Sequence, residues 1–99
     1  MSIEERLRAE ADDVYGWSNR AGDRYARHSH AYTKILYCVS GSIDFSLDDQ
    51  VIPLNAGDRM VLLAGTAHAA TVGPHGCACM EGKARAGASG GRERMVNRG

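Results

Sequence analysis

At 99 residues the chain is long enough for one domain with a modest core, and no apolar run approaches the ~20 residues that a membrane-spanning helix needs. Its formal charge is zero but unevenly spread: residues 1–82 hold eleven acids against seven Lys or Arg, and residues 83–99 hold five bases against Glu93. An acidic body with a short basic tail argues against nucleic acid and membrane as partners. The charged N-terminus lacks the apolar core of a signal peptide, and three cysteines do not make a disulfide framework. Both point to a cytoplasmic location with reduced thiols.

Residues 1–13 make the N-terminal element. Ser2 and Glu5 have capping-box spacing, and Ile3, Leu7, Ala11 and Val14 recur on one side, which predicts a helix over 2–13. Its apolar stripe is thin, so it is expected to pack on a sheet or a neighbouring subunit. From Val14 the texture changes. Strands are expected over 14–18, 24–31, 33–40, 42–47, 51–54, 59–63, 67–72 and 77–82, separated by turn-forming residues at 19–23, 40–41, 48–50, 55–58, 64–65 and 73–76. Ile43, Phe45 and Leu47 alternate with Ser42, Asp44 and Ser46, the period of a half-buried strand. Short strands with no helix between them define an all-β sandwich or barrel over 14–84. Residues 85–99, rich in Gly and Arg, read as a flexible basic tail.

His28 and His30 stand at i and i+2. On a strand they share a face about 7 Å apart and can grip one ion; Tyr25, Tyr32, Thr33 and Ile35 around them favour a strand. His68 follows Gly65-Thr66-Ala67, far enough downstream for two hairpins to return it beside the pair. Three neutral imidazoles hold a divalent metal with coordination positions left open. The alternative is a pair of solvated histidines on a strand face. A third histidine after a Gly turn favours ligands.

The pattern Gly22-x5-His28-x-His30-x3-Lys34-x6-Gly41 resembles the first motif of the cupin family, and Gly57-x5-Leu63-x-Gly65-x2-His68 resembles the second, fifteen residues further on. The resemblance implies a small double-sheet jelly-roll barrel over about residues 14–84, carrying a short N-terminal helix. It also implies a divalent transition metal (zinc, iron, nickel or manganese) on His28, His30 and His68. Because the fold hosts isomerases, dioxygenases, decarboxylases, sugar binders and sensors, it assigns no reaction and no catalytic residue.

Three positions depart from the family pattern: Leu63 replaces a proline, Val72 an asparagine and Lys34 a carboxylate. Lys34 matters most, since a protonated ammonium cannot ligate a metal and opposes a nearby dication. It can turn outward or pair with an acid, stay in the cavity to anchor a substrate anion, or replace the metal function. Strand parity with His30 favours an inward Lys34. Cys38 shares that parity and could line the same cavity, although core filler is the safer reading of a buried cysteine. Arg27 is a further cation that could shape the pocket, so Lys34, Cys38 and Arg27 are the expected substrate-binding residues. Cys77 and Cys79 near His75 could offer soft ligands, but three groups on one strand and its turn cannot surround an ion; two core cysteines fit better.

The expected function is a cupin-fold protein that holds a metal on three histidines and binds or acts on a small, anionic metabolite. The alternative is a non-catalytic ligand-binding or sensory module, metal-free because of Lys34. A homodimer through the helix or first strand is expected for so small a barrel.

Overall fold

The computed structural model describes residues 1–85 and the backbone of residues 96 and 97. One helix, α1 (Ile3–Glu10), precedes strands β1 (Ala11–Asn19), β2 (Arg24–His28), β3 (Lys34–Ser46), β4 (Val51–Asn55), β5 (Arg59–Leu62), β6 (His68–Ala84) and β7 (Val96–Asn97). Every pairing is antiparallel.

The capping box forms as the spacing predicts: Glu5 N donates to Ser2 Oγ at 3.1 Å and Ser2 N to Glu5 Oε1 at 2.9 Å. The helix ends at Glu10, earlier than the expected 13. Ala11 and Asp12 pair instead with Ala84 and Lys83 of β6, and Asp13, at φ 53°, takes the bulge that follows. Leu7 is fully buried against Ile35, Tyr37 and Val61, so α1 packs on its own sheet. Glu10 accepts from Tyr37 Oη (3.0 Å) and Arg59 Nη2 (2.8 Å), which ties the helix end to β3 and β5. Arg85 donates to the carbonyls of Arg8 and Ala9, both at 2.9 Å, and so satisfies acceptors at the helix C-terminus. Most of the tail expected over 85–99, residues 86–95 and 98–99, lies outside the described residues. Val96 and Asn97 pair with Met60 and Arg59 of β5.

Two pairs of expected strands are each one long, bent strand. The stretches 33–40 and 42–47 merge into β3, and 67–72 and 77–82 into β6. Residues 34–40 of β3 pair with 78–83 of β6, and residues 43–46 with 69–72. All seven strands are joined in one hydrogen-bonded sheet, which β3 and β6 fold into two layers. The N-terminal half of β3 lies with β1, β5 and β7 in the first, and its C-terminal half with β2 and β4 in the second. The turn signals read at 40–41 and 73–76 mark the bend, through which the pairing continues. Gly41 is at φ 70°, and a Cβ there would sit 2.0 Å from the carbonyl oxygen of Gly76, so only glycine lets the two backbones cross.

The layers enclose a core that includes Leu36, Cys38, Ile43, Phe45, Leu54, Met60 and Cys79; the smaller cluster under α1 covers the outer face of the first layer. Even-numbered residues of β3 from 34 to 38 face the interior, and Ile35 and Tyr37 face the helix. This is the double-sheet jelly roll, with one short helix.

Candidate metal centre

His28 ends β2, and its Cα partner across the ladder is His68 at the start of β6. The two motifs are also stitched directly. Gly65 N donates to the His30 carbonyl at 2.8 Å, and Ala64 N to Thr33 Oγ1 at 3.1 Å. These bonds hold His30, which lies past the end of β2 rather than inside a strand reaching 31, over the same spot. The result is a triad whose ligand atoms all lie within 4.8 Å of one another.

Its donor chemistry suits a metal. His28 Nδ1 lies 2.6 Å from the Ala26 carbonyl and His68 Nδ1 2.9 Å from the Thr66 carbonyl. A neutral ring can only donate to a carbonyl, so the proton sits on Nδ1 and Nε2 keeps its lone pair. Burial pushes the His68 ring below its ordinary pKa, against a raising contribution from the Thr66 carbonyl. Burial also lowers His30, helped by the charge of Lys34 and by its two histidine neighbours. Neutral imidazoles are what a divalent ion requires. Among the described residues no other group of three His, Cys, Asp or Glu side chains is gathered this way.

The triad opens into a cavity of about 320 Å³. Lys34 lies in its wall, inward as parity predicts, and is paired with an acid as well. Its Nζ is 3.1 Å from Glu81 Oε2 and 3.2 Å from His30 Nε2. Glu81 is a buried carboxylate that the sequence reading missed. Besides Lys34 it accepts from Tyr15 Oη at 2.9 Å and from Trp17 Nε1 at 2.8 Å. Burial and the bond to Glu81 push the Tyr15 phenol up to about 12, so it remains a donor. A signal for Glu81 was present: it is two residues past Cys79, on the inward parity of β6.

Two other expected site residues lie elsewhere. Cys38 has the right parity but the wrong depth: it lies beyond Leu36, fully buried, its thiol donating to the carbonyls of Ser40 (3.4 Å) and Gly41 (3.6 Å). Arg27, next to His28 in β2, points the opposite way and forms an exposed ion pair with Asp48. Cys77 and Cys79 are core residues beside Cys38, and His75 is exposed.

A double-sheet jelly roll with a three-histidine centre at its mouth defines the class. The model for the cupin domain matches residues 19–76, more than half of the chain, and the chain belongs to the cupin family. Quercetin 2,3-dioxygenase of Bacillus subtilis (strain 168) is 38% identical over 55 residues, covering 54% of this chain and 16% of the dioxygenase. A crystal structure of an RmlC-like cupin from Shewanella frigidimarina superimposes with a TM-score of 0.64 at 21% identity, over 72% of this chain and 63% of that one. The DMSP lyase DddQ of Ruegeria pomeroyi gives 0.67 at 20%, over 73% and 37%. The chain thus spans less than two thirds of each of these relatives, and the structural likenesses show the fold alone.

Proposed function

We propose that this cupin holds one divalent transition metal (zinc, iron, nickel or manganese) on His28, His30 and His68, and binds a small molecule beside it in the cavity. The observation that carries this reading is the convergence of three imidazoles within 4.8 Å, two of them with Nδ1 against a backbone carbonyl. When bound, such an ion supplies Lewis acidity toward a ligand oxygen. The chain's own residues do the rest. The carbonyls of Ala26 and Thr66 orient two donors, Glu81 holds Lys34 in place, and the aromatic wall excludes water from one side of the ligand.

Metal analysis of untagged protein tests it. The wild type should carry about one equivalent, and the His28/His30/His68→Ala triple variant essentially none. Less than about a tenth of an equivalent after incubation with each candidate ion, with no difference between the two proteins, overturns the reading.

One observation favours a second reading, in which the protein binds or senses its ligand without turnover. The carboxylate in the cavity wall already accepts two hydrogen bonds and is paired with the Lys34 ammonium, so it is poorly placed to take a substrate proton. The relative whose name denotes a dioxygenase supports turnover instead. Product analysis on metal-loaded protein separates the two.

A further inference from the structure

The polar equipment of the cavity wall is already spent. Tyr15, Trp17, Tyr25, Leu36, Phe45 and Ala70 make up most of its lining beyond the histidines, Lys34 and Glu81. Of the groups there that could grip a polar ligand, the Tyr15 hydroxyl and the Trp17 indole N–H both donate to Glu81, and the Tyr25 hydroxyl donates to Asn19. The Lys34 ammonium lies between Glu81 and His30, with side chains only 12% (Lys34) and 4% (Glu81) exposed. Among the described residues no buried side-chain nitrogen or oxygen lacks a partner.

We propose that Glu81 sets ligand choice: by neutralising Lys34 and occupying the polar atoms of Tyr15 and Trp17, it makes the cavity select a ligand with an oxygen-donor head for the triad and an uncharged, aromatic or otherwise apolar body. This revises the anionic metabolite expected from Lys34. A negatively charged body would leave water for a wall whose one cation is already compensated, and would meet the Glu81 carboxylate there. A flat apolar body meets ring faces and aliphatic surface, and its burial is favourable. The head rests on the proposed metal; the choice of body rests on Glu81 alone. Glu81 is a positioning residue in this scheme, since it acts through Lys34, Tyr15 and Trp17.

The test uses zinc-loaded protein and three hydroxamates that share one chelating head: acetohydroxamate, benzohydroxamate and the monohydroxamate of succinate. Trp17 is the chain's single tryptophan, so its fluorescence reports binding at this wall. In the wild type the phenyl compound should bind about tenfold tighter than acetohydroxamate, and the carboxylate-bearing one no tighter than acetohydroxamate. Glu81→Gln leaves Lys34 uncompensated and should shift the carboxylate-to-phenyl preference by at least about tenfold toward the carboxylate. The Lys34→Met/Glu81→Leu double variant removes both charges and should keep the phenyl preference. It also supplies the comparison if Glu81→Gln does not fold.

A wild type that ranks the charged body first overturns the assignment, as does a Glu81→Gln protein whose carboxylate-to-phenyl preference is unchanged or a double variant that loses the phenyl preference. Metal content, measured first, separates this from the metal reading. Protein that loads zinc but ranks the bodies wrongly loses only the Glu81 assignment. Protein that does not load zinc loses the metal reading, and phenol against propionate on metal-free protein then decides the role of Glu81, with propionate ahead overturning it.

Discussion

The interior of the barrel has two halves built by the same two strands. Along β3 the inward residues run Lys34, Leu36, Cys38, and along β6 they run Glu81, Cys79, Cys77, with Leu36 opposite Glu81 and Cys38 opposite Cys79. Burial barely distinguishes them: Glu81 is 3% exposed and Cys79 1%. Chemistry does. The half toward the histidines holds a carboxylate and an ammonium; the half toward the bend holds three thiols. A buried carboxylate is tolerated only where donors or a counter-charge reach it: two hydrogen bonds come from β1 and an ammonium from β3. The thiols need no such support. Hydrogen bonding to Cys38 and burial both push the Cys79 thiol up, so it stays protonated and unreactive. Strand parity decides what faces inward, and the neighbouring strands decide whether an inward residue can be charged.

The largest effect should come from removing that support. Glu81→Leu strands the Lys34 ammonium in the wall and leaves two aromatic donors unpaired, at a cost of about 3–5 kcal/mol. Cys79→Ala, equally buried in the other half, should cost only about 1–2 kcal/mol, because it leaves a small void and no orphaned charge. The Lys34→Met/Glu81→Leu double variant should regain most of the loss. Urea unfolding of the four proteins measures all three terms. A double variant as unstable as the single one would assign the cost to Tyr15 and Trp17 rather than to the ion pair.

The bend beyond the thiols should come next. Gly41→Ala puts a methyl 2.0 Å from the Gly76 carbonyl oxygen at a positive φ, so one backbone must move, for about 2–4 kcal/mol. Gly57, at φ 94° with nothing within 4 Å of its missing Cβ, is the control for backbone strain without a clash. Its alanine variant should lose about 1 kcal/mol. Equal losses in thermal unfolding would mean that the crossing of β3 and β6 has slack.

Whatever is local along the chain was legible in it. The spacing of His28, His30 and His68 and the Gly turns around them define the mouth, and the two motif loops meet through a backbone bond from Gly65 to His30 and a bond from Ala64 to the Thr33 hydroxyl. The reach of α1 was not legible: residues 11–13 continue a helical pattern, but their pairing with β6 overrides it. Nor was the continuity of β3 and β6, because Gly41 and residues 73–76 carry the same turn signals whether they end a strand or bend one. Glu81 was hidden for a related reason. Its tolerance depends on Tyr15 and Trp17, more than sixty residues away in sequence, and only its parity with Cys77 and Cys79 hinted at it.

Lys34 tests the charged half without dismantling it. Its ammonium lies 3.2 Å from His30 Nε2, close enough to oppose a dication on the triad. Lys34→Met removes that opposition and leaves Glu81 with the Tyr15 and Trp17 donors. Affinity for zinc should rise by about tenfold, read by competition with a chromophoric chelator. Unchanged affinity would show that Glu81 already cancels the ammonium at the triad as well as in the cavity.

The smallest effect is in alkaline solution. The Tyr15 phenol is raised to about 12 when folded, by burial and by its bond to Glu81, against about 10 in an unfolded chain. A group with a raised folded pKa contributes stability that is complete below the unfolded value and lost as pH climbs through the folded one. The wild type should therefore lose stability between about pH 10 and about 12, and Tyr15→Phe should lose less over the same window. Tyr37, raised by burial and its bond to Glu10, and the buried thiols Cys77 and Cys79 also contribute there, so only the difference between the two proteins isolates Tyr15. Urea midpoints across that window measure it. Parallel curves would mean that the thiols and Tyr37 account for the alkaline loss, and that the Tyr15 hydroxyl exchanges with solvent instead of staying on Glu81.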